Sequence, residues 1–390
     1  MTRKMSLMNR YTAVQSLLIL FAIALLISPP VIFAESIEKL DPNMAVADPD
    51  GEWIWYDALL LGIEGKVWGE TEKPYDRLPT KAEGVVTDSV WKLSKHSAGM
   101  AVHFVSDAEK ISAKWEVTND NLAMPHMPAT GVSGLDLYVR LDKGWHWIGN
   151  GRPSQKETQA VLASGIPAGS HEYLLYLPLY NGTASLAIGV PKEASLAKAP
   201  ARPEGKQKPL VFYGTSITHG GCASRPGMAY PAILGRRFDR PVVNLGFSGN
   251  GKMEAAMGEL LQEIDAAAYI LDCIPNMTPE LIAERVVPLV KALRAARPGI
   301  PILLVENIQY QSGAFLEASR IAYEEKNEAL QESYGTLLGS EYISDLYYLP
   351  GDTLLGSDGE ATVDGVHPTD LGFQRMADAF EPVLKSFLSE

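Results

Sequence analysis

Cysteine is scarce in this chain: Cys222 and Cys273 are the only two in 390 residues. There is no Cys-x-x-Cys pair and no His/Cys cluster, which removes the common zinc and redox motifs. One disulfide or two buried thiols are both compatible with the pair. Positive charge is also in short supply, with 34 Lys and Arg against 47 Asp and Glu and a formal net charge of -13. Nucleic-acid binding calls for a basic patch, so nucleic acid is not an expected partner, and a neutral or weakly charged substrate suits the balance better. Tryptophan is missing from the second half, since all seven lie between Trp53 and Trp147.

The prominent apolar run is Leu17 to Ile27, short for a membrane span. It follows Arg3, Lys4 and Arg10, is broken by Pro29 and Pro30, and leads to the small Ala34. That layout predicts a secretory signal over residues 1–34 and export to a periplasm or the cell exterior. An uncleaved anchor is the alternative, because Ile32 is bulky two places before the presumed cut. Hydrophobic content of 46% and charged content of 21% are ordinary for a chain with a real core, and the length suits two domains.

Residues 36–199 read as the first domain. Short alternating runs such as Ile111 to Val117, Leu135 to Arg140 and Glu172 to Leu177 are separated by turn residues, as in Asp142-Lys143-Gly144 and Asn181-Gly182. Period-two alternation without long helical patterns predicts an antiparallel, jelly-roll-like β-sandwich. Its tryptophans read as core filling or as a sugar-stacking platform, with Trp145 and Trp147 sharing one strand face. Residues 200–206, rich in Pro, Ala and charge, read as a linker.

In residues 207–390 the rhythm changes to apolar strands alternating with helix-length amphipathic segments. This is the βαβ pattern of a flavodoxin-like parallel sheet in a three-layer α/β/α domain. Strands are expected at Leu210 to Tyr213, Val242 to Leu245, Tyr269 to Asp272, Ile302 to Val305 and, more weakly, Tyr342 to Ser344. Helices are expected at Ala229 to Phe238, Lys252 to Ile264, Thr278 to Ala296, Phe315 to Tyr334 and Asp370 to Ser389. Right-handed crossovers bring the strand ends to one edge. That edge would carry Ser216, the Asn244 to Gly251 loop, Asp272 with Asn276, Glu306 with Asn307, and Asp364 with His367.

Ser216, after Gly214-Thr215, reads either as a helix cap or as a nucleophile. A nucleophile needs a base. His367 is the good one, because His219 lies only three residues beyond Ser216 and is turned away. Asp364, three residues before His367, is spaced to reach its Nδ1 and leave Nε2 for Ser216. Taken alone, the same spacing fits a helix-capping turn. Oxyanion donors would be the Ser216 N–H, the Gly249 N–H (with Gly246 as second choice) and the Asn276 amide. Arg225 reads as a substrate contact or an ion-pair partner, and Glu306 as a lesser substrate contact.

Four ordered blocks resemble the SGNH (GDSL-type) hydrolase family. Gly214-Thr215-Ser216-Ile217-Thr218 is similar to its Gly-x-Ser-x-Thr, and Gly249 to its second-block glycine. Asp364-Gly365-Val366-His367 is similar to its Asp-x-x-His. The third block, usually Gly-x-Asn-Asp, survives here as Ile274-Pro275-Asn276-Met277, with the asparagine alone retained. Gly134-Leu135-Asp136-Leu137-Tyr138 resembles the Gly-x-Asp-Leu-Tyr module that precedes a subgroup of bacterial GDSL-like esterases. The resemblance implies a sandwich fused to a serine hydrolase domain. The expected activity is hydrolysis of short acyl esters, acetyl above all, on carbohydrate, with no cofactor or metal. A lipid or aryl esterase, a thioesterase, and a non-catalytic carbohydrate-binding protein are the alternatives.

Overall fold

The computed structural model describes residues 39–340 and 343–388, so the expected signal segment lies outside the described residues. Strands β1 (Val46–Ala47), β2 (Trp53–Asp57), β3 (Ala101–Ser106), β4 (Lys110–Val117) and β5 (Leu135–Leu141) open the sandwich. They are followed by β6 (Gly144–Gly151), β7 (Glu157–Ser164), β8 (His171–Tyr176), β9 (Thr183–Pro191) and β10 (Leu196–Lys198). The two antiparallel sheets have orders β1-β2-β9-β4-β7 and β10-β3-β8-β5-β6. Strands 2-9-4-7 facing 3-8-5-6 make a jelly roll. The alternation that marked the strands now has a location. Leu135, Leu137 and Val139 of β5 enter the core between the sheets, with Trp115, Phe104 and Ile188.

The other face of the β3-β8-β5 sheet is not left to solvent. Ala101, Tyr138, Leu174 and Tyr176 pack against Ala232 of the α/β half. Trp115 is buried in the sandwich core, whereas Trp53 and Trp55 are buried on the other face of β2, with Lys114 Nζ 4.0 Å from the Trp55 ring centre, and Trp147 is 42% exposed. Trp147 turns its Nε1 inward to donate to Asp136 Oδ1 at 2.8 Å.

The α/β half has strands β11 (Leu210–Gly214), β12 (Val242–Gly246), β13 (Ala268–Asp272), β14 (Ile302–Val305) and β15 (Leu346–Leu349). All pair in parallel in the order β12-β11-β13-β14-β15, the flavodoxin-like arrangement. Helices are α1 (Ser216–His219), α2 (Tyr230–Phe238), α3 (Ala255–Gln262), α4 (Pro279–Ala296), α5 (Glu317–Leu338) and α6 (Asp370–Lys385). Strands buried on both sides send alternate residues to opposite layers. Val211 and Tyr213 join the core under α3, α4 and α5. Leu210 and Phe212 join the core under α2 and α6.

The fifth strand is displaced from its expected place. It begins at Leu346, because Asp345 takes a left-handed turn at φ 53° while its carbonyl receives Ile302 N at 2.9 Å. Likewise α3 starts at Ala255 rather than Lys252, after Met253 at φ 54° interrupts any earlier helix.

The Gly-x-Asp-Leu-Tyr segment explains how the halves join. Leu137 points into the sandwich, so Asp136 and Tyr138 share the opposite face. Asp136 has no exposure, and its Oδ2 accepts from Arg225 Nη1 and from Gly227 N, both at 2.8 Å. Arg225 also bonds the Tyr138 hydroxyl, and Arg236 of α2 lies 4.0 Å from the Tyr138 ring centre. Gly134 sits where a Cβ would come within 2.4 Å of Thr130 O and 2.7 Å of Gly151 O, so a side chain has no room. Removing one partner of a buried pair strands the other charge. Arg225→Met is therefore expected to lower the unfolding free energy by about 3 kcal/mol in urea titrations.

Candidate active site

The carboxyl edge of the parallel sheet gathers the residues in question. At the end of β11, Thr215 caps α1 by accepting Ile217 N on Oγ1 at 3.2 Å. Ser216 is therefore the first helical residue and not the cap, and its hydroxyl is left for other partners. Ser216 Oγ lies 2.8 Å from His367 Nε2, and His367 Nδ1 lies 2.8 Å from Asp364 Oδ2.

The Asp364 to His367 spacing works through a tight turn. Asp364 Oδ1 accepts the backbone N–H groups of Val366 at 3.1 Å and His367 at 2.8 Å. Burial pushes the Asp364 carboxyl up, but these bonds and the His367 side chain outweigh it and hold the group below the ordinary carboxylate range. Past Pro368, Thr369 caps α6, so the turn is clamped on its far side as well. His219 ends α1 and faces the sandwich, its Nε2 donating to Leu179 O at 2.7 Å.

The second loop decides between its glycines. Gly246 N donates to Asn244 Oδ1 at 2.9 Å, so that N–H is spent inside the protein. A Cβ on Gly246 would fall 2.1 Å from His219 N, which makes its role close packing against α1. Gly249, exposed at φ 69°, sits in the turn closed by Asn250 N to Phe247 O at 2.8 Å. Asn276 donates one Nδ2 hydrogen to Asn250 O at 2.6 Å, which ties it to the same loop and leaves its second hydrogen.

Arg225 is absorbed by Asp136 and Tyr138 as described above. Glu306 is likewise committed: it is 6% exposed and accepts from Tyr348 Oη at 2.6 Å, Gln331 Nε2 at 2.7 Å and Gly351 N at 2.8 Å. Both side chains are built into the framework rather than aimed at a substrate. Cys222 and Cys273 are separate buried thiols, and burial pushes the Cys222 thiol up to about 12.

Three sandwich-side residues escaped the sequence reading. Arg77, 3% exposed, donates from Nη1 to Asn244 O at 3.0 Å and Gly246 O at 2.8 Å, holding the end of β12. Tyr180 donates from its hydroxyl to Ser216 O at 3.2 Å. His126 is exposed on a turn that sets its ring 6.1 Å from that of His367. Asn181-Gly182 signalled only a turn, and nothing local distinguishes the tyrosine before it.

Residues 207–385 match the model of the GDSL-like lipase/acylhydrolase family, and residues 53–196 match the model of the N-terminus of SGNH-hydrolase-type esterases. A Bacteroides ovatus protein described as a GDSL-like lipase is 39% identical, with a TM-score of 0.81 over 86% of this chain and 98% of its own. The chain belongs to the GDSL-like lipase/acylhydrolase family. This GDSL-like protein also shares its fold with a salicylyl-acyltransferase from a tetracycline biosynthetic pathway. The two are 17% identical, with a TM-score of 0.68 over 88% of this chain and 96% of the other. A family two carbohydrate esterase from Clostridium thermocellum is 13% identical, with a TM-score of 0.55 over 74% and 92% respectively. None of the curated proteins matches the GDSL-like chain.

Below Ser216, the buried Asp272 accepts from Tyr230 Oη at 2.8 Å and Thr218 Oγ1 at 3.1 Å. Burial raises its carboxyl from 3.8 to about 7, with the two hydroxyls pulling the other way. A raised value means that the folded state holds the proton longer than the unfolded state does. The stabilisation is full below the unfolded value and drains away as pH rises to the folded one. In denaturant midpoints across pH, the stability of Asp272→Asn relative to wild type is expected to grow from pH 3.8 to about 7 and then level off.

Proposed function

We propose that the protein is an exported serine esterase that removes short acyl groups, acetyl above all, from carbohydrate. The observation that carries the reading is the continuous chain from Ser216 Oγ through His367 to Asp364, with both links at 2.8 Å. His367 Nε2 takes the proton of Ser216 Oγ as the oxygen attacks the ester carbonyl. Asp364 holds the imidazole in the tautomer with Nδ1–H and balances the positive charge that forms. The Ser216 and Gly249 N–H groups and the free hydrogen of Asn276 Nδ2 receive the oxyanion. His367 then returns the proton to the leaving alcohol. Water enters by the same base, and the acyl-enzyme is hydrolysed to acid and free serine.

The carbohydrate part of the reading is supported by the two-part fold shared with the Clostridium thermocellum carbohydrate esterase, whose structure was determined with a bound cello-oligosaccharide. A basic, apolar and then small-residue start over residues 1–34 supports export. No metal or organic cofactor enters the scheme.

The test is hydrolysis of p-nitrophenyl esters of rising chain length, together with acetate release from acetylated glycans. Acetyl esters are expected to react fastest, and a clear preference for long chains would overturn the short-acyl assignment. Ser216→Ala is expected to lose about 10⁴-fold or more in kcat, and undiminished turnover by that variant would remove Ser216 from the chemistry.

A further inference from the structure

An oxyanion hole works only if N–H groups on separate loops are held to one point before substrate arrives. Here the two backbone donors sit on two short turns. One is α1, a helix of a single turn and too short to sustain itself. The other is the Phe247 to Asn250 turn that carries Gly249. Arg77 fixes the strand that leads into the second turn, but it does not reach the first.

One hydroxyl holds the first turn. Tyr180 Oη donates to Ser216 O, the carbonyl of the nucleophile itself, at 3.2 Å. The tyrosine is fixed from behind. Its backbone N–H donates to Val132 O at 3.1 Å, and its ring stacks on His219 with centres 4.1 Å apart at 15°. His219 in turn donates to the carbonyl of Leu179, the residue before the tyrosine. Gly221 passes so close that a Cβ there would meet Tyr180 Oη at 2.9 Å and His367 Cδ2 at 3.4 Å, which places the hydroxyl beside the triad.

We infer that Tyr180, supplied by the sandwich, is a positioning residue. Its hydroxyl holds the Ser216 turn by the Ser216 carbonyl, as Arg77 holds the strand that leads into the Gly249 turn, and the two together preassemble the oxyanion hole. The sandwich is then part of the catalytic apparatus and not only a module attached to it. The inference rests on the serine-esterase reading above.

The test is Tyr180→Phe in the full chain, which removes the hydroxyl and keeps the ring on His219. With p-nitrophenyl acetate and active sites counted by burst titration, kcat is expected to fall on the order of 10-fold with KM within about twofold. Affinity for a small boronic acid, which forms a tetrahedral adduct on serine, is expected to fall by the same factor. A merely structural role would lower the thermal midpoint and leave both values per active site unchanged. Tyr180→Met removes the same hydroxyl from a flexible apolar side chain and should match Tyr180→Phe in kcat and boronate affinity per active site. It carries the test if Tyr180→Phe folds poorly. Wild-type kcat and boronate affinity in folded Tyr180→Phe, or in folded Tyr180→Met, would overturn the inference while an inactive Ser216→Ala leaves the esterase reading standing. An active Ser216→Ala would overturn both.

Discussion

A carboxylate with no exposure has to be met by donors, and Asp136 is the one on which the joining of the two halves depends. Its donors come from three places: Arg225, Gly227 and Trp147. Two of those belong to the segment that leaves the Ser216 turn. That segment is then tied onward, because Ser224 donates from N and Oγ to Asp370 at the start of α6, three residues past His367. Thr130 of the sandwich donates to Ser224 O at 2.6 Å and adds a second tie at the same point. A single buried carboxylate on β5 is thus connected, bond by bond, to both ends of the hydrogen-bonded chain from Ser216 through His367 to Asp364. Burial makes each bond in that path worth more than it would be in water.

Much of this was legible in the chain because it depends on local pattern. The Leu210 to Tyr213 run announced a strand, Gly214-Thr215-Ser216 announced its polar end, and the three-residue step from Asp364 to His367 carried its own turn. The helix expected from Thr278 begins there, with Thr278 accepting Leu281 N as its cap. What was hidden is pairing across long stretches of sequence. Arg225 and Asp136 are 89 positions apart, Tyr180 and Ser216 are 36 apart, and Arg77 and Gly246 are 169 apart. Alternation tells which residues share a strand face, but not what that face will meet. Arg225 was therefore left between two meanings, and Glu306 was placed at a site although its carboxylate accepts three hydrogen bonds within the protein. The fifth strand slipped because its start is set by one left-handed residue, Asp345, which composition does not mark.

Composition marks residues 200–206 as the place where the two halves might swing. Arg202 argues otherwise. Its side chain is 8% exposed, ion-paired to Glu64 of the sandwich side and within 3.6 Å of Asp239 at the end of α2. Swinging at this point would pull a desolvated guanidinium away from two carboxylates at once. The stretch that resembles a tether behaves as a rivet. Ser216 is thereby held at a fixed bearing to the jelly roll, at a distance set by the dimensions of the sandwich rather than by the slack of a leash.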